Sequence, residues 1–278
     1  MTVSFVEVGD RVHVLRYPVL DVNVTLVVGD GAALLVDSLA TAAQAAELVA
    51  AARRITRHPW SVVNTHHHFD HCFGNATVAG DPPAPVHAHR ETLRLLRDHP
   101  EEVRRQAYDE MRPTEPALAV ELLDTPILAP DHPVGDAVEL DVGGRPVVLR
   151  HLGLGHTAGD LVVEVPDAEV LIAGDLVEES GPPDFAESYP LRWPATVAAL
   201  LRRCSAGSVV VPGHGAPLDP ARVRAQHHDL ATLARLIRDG YADRVPAPRL
   251  AARAPFGPGP ALPAIRRGYT QLAARTHC

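Results

Sequence analysis

Several short apolar runs in this chain stop at a loop that carries histidine or aspartate. Residues 61–63 lead into Asn64-Thr65-His66-His67-His68-Phe69-Asp70-His71. Residues 170–173 lead into Gly174-Asp175, residues 208–211 into Pro212-Gly213-His214-Gly215, and residues 32–36 end at Asp37. His156 sits in a further turn, Gly153-Leu154-Gly155-His156-Thr157-Ala158-Gly159-Asp160. An apolar strand gains nothing in packing by ending in Gly-Asp or Gly-His. The flanking glycines let the backbone bend tightly. In a layered α/β arrangement, strand ends on one edge converge on one site. The fold must therefore be one that gathers these loops together.

The rest of the chain supplies strands and helices for such layers. Residues 12–15 and 22–28 are β-branched, and Gly29-Asp30-Gly31 turns the chain into the partner run 32–36. Residues 41–55 space Ala45, Leu48, Val49 and Ala52 as a helix does, with Thr41 as N-cap and Pro59 beyond its end. Residues 86–88 read as a strand; 90–97 and 101–111 read as polar helices. The second half repeats the logic. Runs 137–140 and 146–152 flank Gly143-Gly144, and runs 161–165 and 170–173 flank Pro166-Asp167-Ala168-Glu169. Helices follow at 193–203, 221–238 and 263–275. Residues 245–263 are rich in Pro, Ala and Gly and read as a linker or extended wrap. The result is a coarse two-fold pattern: hairpins, helix, then a short strand ending in a histidine-bearing loop.

His66-x-His68-x-Asp70-His71 carries the chemistry. In an extended loop, residues i and i+2 point to the same side, so His66 and His68 can grip one metal. Asp70 and His71 are displaced along the loop and can grip a second. Imidazole with carboxylate suits zinc, and also iron or manganese.

These motifs, in the order His-x-His-x-Asp-His, Gly-His-Thr-x-Gly-Asp, Gly-Asp and Pro-Gly-His-Gly, resemble the metallo-β-lactamase superfamily over roughly residues 10–216. The resemblance implies an α+β fold, a four-layer αββα sandwich with a di-metal site at one edge of its two sheets. It implies that His66, His68 and His156 hold the first metal, that Asp70, His71 and His214 hold the second, and that Asp175 bridges both. Asp37 matches an acidic position that supports the metal loop, and Asp160 one that hydrogen-bonds it. The implied activity is zinc-dependent acyl hydrolysis by a hydroxide shared between two Zn2+ ions and oriented by Asp70 and Asp175, with Fe2+ or Mn2+ as alternative metals. Asp at 175 resembles the glyoxalase II, lactonase and phosphodiesterase branches; the lactamase subclasses carry Cys or Ser there. The continuation Cys72-Phe73-Gly74-Asn75 departs from glyoxalase II, which places two glycines after the motif. Thioester, lactone and amide substrates all stay open. A mononuclear-iron sulfur dioxygenase shares the motif and is the alternative enzyme; a metal-binding module without catalysis is the alternative of another class.

Composition narrows the field. The 278 residues are 46% hydrophobic and 22% charged, enough for one large domain, expected at 1–240 with the segment 241–278 packed against it. All 26 basic residues are arginine. Without lysine there is no Schiff-base chemistry, no P-loop lysine and no pyridoxal-phosphate anchor. A net charge of −8 argues against a nucleic-acid partner and against the ribonuclease members of the superfamily. Cys72, Cys204 and Cys278 are odd in number and far apart, which points to a reducing cytoplasm. No apolar run approaches the ~18 residues of a membrane span. The expected partner is a small molecule. Two divalent cations against Asp70, Asp175 and one hydroxide leave a positive centre, which suits a carboxylate-bearing substrate. The substrate pocket is expected from the loop 178–193, where Phe185, Tyr189, Arg192 and Trp193 are the candidate substrate residues, with Tyr189 as oxyanion donor and Arg192 as carboxylate partner; residues 108–111 are a second candidate wall. Cys72 reads as a small buried residue under the metal loop, and His67 as pointing away from it. Oligomeric state has no signature in the sequence.

Overall fold

The computed structural model describes residues 3–275. Cys278 lies outside them. Two sheets face each other. The first runs in chain order: β1 (Val6–Gly9), β2 (Val12–Tyr17), β3 (Val22–Val28), β4 (Ala33–Val36), β5 (Trp60–Val63), β6 (Val86–His89) and β7 (His132–Val134). Its first four strands form an antiparallel meander; from β4 onward neighbours are parallel. The second sheet has the order β12-β11-β10-β9-β8, from β8 (Ala137–Val142), β9 (Arg145–Arg150), β10 (Val162–Val165), β11 (Val170–Gly174) and β12 (Val209–Pro212). Only its β11 and β12 are parallel.

Parallel neighbours need crossovers, and these supply the helical layers. The helix Ala42–Ile55 links β4 to β5, with the Thr41 side chain capping its N-terminus through Gln44 N. The helix Trp193–Leu201 links β11 to β12. Strand alternation sorts the apolar residues into layers. Leu34 and Val36 of β4 face inward to meet Leu149, Val163 and Ile172 of the second sheet. Ala33 and Leu35 face outward against Ala45, Leu48 and Ala52 of the first helix. Across the molecule, Leu171 and Val210 face Trp193, Val197 and Leu200 and the helix Pro220–Ala242. The layers are thus helix, sheet, sheet, helix: the αββα sandwich.

Several elements differ from the sequence reading, among them the strand β1 and the short helices Phe69–Cys72 and Asn75–Ala79, which it did not anticipate. Residues 245–263 are not a linker: they contain the helix Ala247–Ala251 and the start of the helix Pro258–Arg275, each opening on or next to proline, where the missing N–H costs no bond. Leu250, Ala251, Ala261, Ala264 and Ile265 join the core of Pro220–Ala242, so this segment belongs to the same helical layer. The helix Pro116–Asp124 and the strand β7 are additional. No helix among the described residues is long and apolar enough to cross a membrane.

Candidate metal centre

The C-terminal ends of β4, β5, β11 and β12 open on one edge of the sandwich. Asp37 follows Val36 of β4, the histidine loop follows Val63 of β5, Asp175 follows Gly174 of β11, and His214 lies two residues beyond Pro212 of β12. His156 comes from the turn between β9 and β10. Asn23 of β3 stitches the two sheets at this edge: its side-chain amide donates to Pro212 O (3.0 Å) and Gly215 O (2.7 Å). The histidine loop is held by a buried amide pair. Asn64 donates to Asn75 Oδ1 at 2.9 Å and to His71 O at 3.1 Å, and Asn75 donates back to Asn64 Oδ1 at 2.8 Å.

Two donor groups result. The ligand atoms of His66, His68, His156 and Asp175 lie within 4.8 Å of one another, as do those of Asp70, His71 and His214. The sevenfold set read from the sequence is brought together whole. Asp175 reaches into both groups. Its Oδ2 is 3.5 Å from His66 Nε2, His156 Nε2 and His214 Nε2, and its Oδ1 is 3.2 Å from His71 Nε2. His156 Nε2 and His68 Nδ1 approach to 2.9 Å. His66 Nε2 and Asp175 Oδ1 are buried and have no hydrogen-bond partner. A buried polar atom without a partner costs about 1–3 kcal/mol, and a cation between these two would satisfy both. The donor set and its orphaned atoms fit metal ions.

Each imidazole has its outer nitrogen tied to the protein, which selects the tautomer and aims the inner nitrogen at the centre. Asp37 is the main anchor. Its carboxylate accepts from Thr65 N (2.7 Å), from Thr65 Oγ1 (2.8 Å) and from His71 Nδ1 (2.8 Å). With its hydroxyl proton given to Asp37, Thr65 Oγ1 accepts from His66 Nδ1 at 3.1 Å. His214 Nδ1 donates to Leu20 O at 2.7 Å, and His156 Nδ1 to Asp184 O at 3.4 Å. His68 is reversed: Nδ1 faces the centre while Nε2 lies 3.6 Å from Glu187 Oε2. The same oxygen is 2.9 Å from His67 Nε2, and Gln106 donates to the other carboxylate oxygen at 2.6 Å.

Burial opposes the charged form of every histidine here. It prevails at His66, which falls well below the usual histidine value, and at His156, lowered to about 3. At His68 burial is overcome by the nearby Glu187 carboxylate and the Asp175 charge, which raise it to about 9. At His214 Asp175 overcomes it, raising the group to about 10. His71, facing Asp175, Asp70 and Asp37, is also raised. Burial would raise Asp175, but His71, His66 and His214 hold it well below the carboxylate range. Glu178, half-buried beside Asp175, is pushed well up by desolvation and by the Asp175 charge.

The other sequence candidates are placed as follows. Asp160 accepts from Thr157 N at 2.9 Å and caps the His156 turn; among the described residues its carboxylate is hydrogen-bonded to Thr157 and not to the His66–His71 loop. Phe185 and Trp193 are fully buried in the core of the second helical layer, where the indole N–H donates to Leu176 O at 3.1 Å. Tyr189 and Arg192 also lie outside the lining of the cavity over the donors. Tyr189 acts through its backbone, its N–H donating to Gly155 O at 2.8 Å, and Arg192 is exposed. Glu110 and Met111, from the second candidate wall, do line it. Cys72 is buried and its thiol donates to His67 O and His68 O at 3.2 Å. The candidate pocket loop 178–193 does supply Glu178, Ser180, Gly181, Pro182 and Asp184 to the lining, but sequence reasoning singled out neither Glu187 nor Glu178, and missed Thr65 and the Asn64–Asn75 pair. No spacing rule marks them, because each is paired by the fold.

Known proteins place this geometry in context. Over 76 residues the chain is 36% identical to metallo-beta-lactamase IND-1 of Chryseobacterium indologenes, a match covering 26% of this chain and 32% of that protein. Over 91 residues it is 32% identical to metallo-beta-lactamase type 2 of Bacillus cereus, covering 31% of this chain and 36% of that protein. The chain therefore spans about a third of the length of these curated relatives. The solved structure of a metallo-beta-lactamase from Pontibacter korlensis superposes with a TM-score of 0.66 at 20% identity, covering 82% of this chain and 99% of that one. That of the DIM-1 metallo-beta-lactamase gives 0.65 at 20% identity, covering 84% and 98%. These structures share the fold. The model of the metallo-beta-lactamase superfamily matches residues 17–248, a span that takes in every donor residue and most of both sheets. On that extent of match, the chain belongs to the metallo-β-lactamase superfamily.

Proposed function

We propose that this protein is a metal-dependent hydrolase that takes two zinc ions and cleaves the acyl bond of a small molecule: a thioester, lactone or amide. The observation that carries the reading is Asp175. One buried carboxylate serves both donor groups, with Oδ1 unpartnered at their junction. His66, His68 and His156 would hold one ion and Asp70, His71 and His214 the other. Two bound divalent ions would lower the pKa of a shared water toward neutrality and polarise the acyl carbonyl. The reaction adds water across the acyl bond, oxygen to the carbonyl carbon and a proton to the leaving atom.

The protein's own part is orientation and exclusion. Asp37, Thr65, Glu187 and the backbone carbonyls of Leu20 and Asp184 fix the imidazoles before any ion arrives. Phe69 and Met111 line the cavity with apolar surface. Two cysteines among the described residues, Cys72 and Cys204, are unpaired, which supports residence in the cytoplasm.

The test is elemental analysis of protein purified without chelators, followed by hydrolysis assays on thioesters, lactones and β-lactams. About two zinc per chain and turnover of one class are expected. One iron per chain with oxygen uptake on persulfides would replace this reading by the sulfur dioxygenase.

A further inference from the structure

The cavity over the donors, about 250 Å³ in volume, has a wall of marked charge. Beyond the donors themselves its lining pairs apolar Leu20, Phe69 and Met111 with three further acidic side chains: Asp184, Glu110, which desolvation and the nearby Asp70 raise to about 7, and Glu178, which is pushed well up. No arginine lines it, and the chain has no lysine. Among the described residues, Glu110 makes no hydrogen bond or ion pair. It stands exposed on the helix Pro100–Met111, and Asp184 is exposed on the loop after β11. The groove continuing outward shares both residues and adds Glu102 and Asp109 against one arginine, Arg105.

A substrate carboxylate here meets no guanidinium fork, the usual means of holding one. It also approaches through a groove whose field repels it. Arg192, the arginine that the sequence places nearest, is outside the lining. The positive charge of the metals alone favours a carboxylate, and the acidic wall opposes that preference. An ammonium group gains charge-assisted hydrogen bonds from Glu110 and Asp184, while Leu20, Phe69 and Met111 accept an aliphatic or aromatic body.

We propose that the site selects acyl compounds that carry an ammonium group and no carboxylate, with the ammonium held by Glu110 and Asp184. This rests on the acyl-hydrolase reading of the same site. The test uses zinc-loaded protein and three thioesters matched in length, ending in an ammonium, a neutral or a carboxylate group. The expected order of kcat/KM is ammonium, neutral, carboxylate, with about tenfold or more between the extremes. That ratio should shrink as salt is added, and should collapse in the double variant Glu110→Gln, Asp184→Asn with its zinc content retained. Calorimetric binding of the matching ammonium and carboxylate methyl ketones gives a readout that needs no turnover, with the ammonium ketone expected to bind more tightly. Hydrolysis of the carboxylate thioester as fast as the ammonium one overturns the proposal and leaves the hydrolase reading standing. No hydrolysis of any acyl class overturns the hydrolase reading; the ketone pair then judges the charge preference alone, and equal binding overturns it.

Discussion

Metal affinity in a centre like this depends on side chains that never touch the ion. Glu187 shows why. Its carboxylate lies 3.6 Å behind His68, the one imidazole that turns Nδ1 inward, and is itself held by His67 and Gln106. A neutral amide in its place keeps the shape but loses the charge that favours an inward-facing lone pair. Glu187→Gln is therefore expected to weaken zinc binding about 10–100-fold with the fold intact, read by competition with a chromophoric chelator; wild-type affinity would exclude this role. Gly213 is a second sensitive position. A Cβ there would overlap Asp175 Oδ1, and the Gly213 N–H is tied to Gly174 O at 2.9 Å, so the backbone has little room to yield. In Gly213→Ala the Asp175 carboxylate must leave the junction of the two donor groups. On the proposed two-zinc reading, zinc content should fall to one per chain or fewer, by elemental analysis after gel filtration. Two tightly held zinc ions in that variant would separate Asp175 from the bridging role.

The strands decide where these residues meet, and the inter-sheet core decides where the strands sit. That core is wholly aliphatic. Leu34 is fully buried in β4, the strand whose end presents Asp37. Leu34→Ala leaves a cavity between two sheets that cannot collapse independently, at about 2–5 kcal/mol, measurable as a lowered denaturant midpoint. A loss below about 1 kcal/mol would mean that the sheets repack. The strands and donors were legible in the sequence for physical reasons: strand alternation is periodic, and a glycine-flanked His or Asp after an apolar run has no packing purpose. Asp37 could be placed too, because its strand ends there, and its φ of 69° marks the sharp exit that turns the carboxylate inward. The aromatic-rich stretch from Phe185 to Trp193 misled because large rings signal burial as readily as binding; Trp193 packs behind His156, with ring centroids 5.6 Å apart, rather than over the site. β7 is three residues long with Pro133 within it, which only an edge strand tolerates, so it leaves no periodic trace. Glu187 and Glu178 sit on irregular backbone, where position in the chain carries no geometric information.

At the scale of the whole molecule, the centre couples protons, metal and stability. Without metal, His68 is raised to about 9 and His214 to about 10, above the ordinary histidine value of 6.5. A group whose folded pKa is raised stabilises fully below its unfolded pKa, and that stability is lost as pH climbs through the folded value. His156, lowered to about 3, works oppositely: the unfolded chain takes up its proton first as pH falls below 6.5, so stability drains on the acid side. Metal-stripped protein should therefore lose melting temperature from pH 6.5 toward pH 10, whereas on the acid side the loss through His156 is offset by Asp160 and Glu110, both raised to about 7, whose neutral forms folding favours. Zinc must displace the protons on His68 and His214, so binding at pH 7 should release protons, seen as a dependence of the calorimetric heat on buffer ionisation enthalpy. Zinc-loaded protein, with those nitrogens no longer titrating, should lose the decline between pH 6.5 and 10. A metal-stripped protein whose melting temperature is flat or rising over that interval would show that Asp175 and Glu187 do not hold charged imidazoles in the empty centre. The electrostatic account of how the fold prepares these donors would then have to be replaced by one based on hydrogen-bond geometry alone.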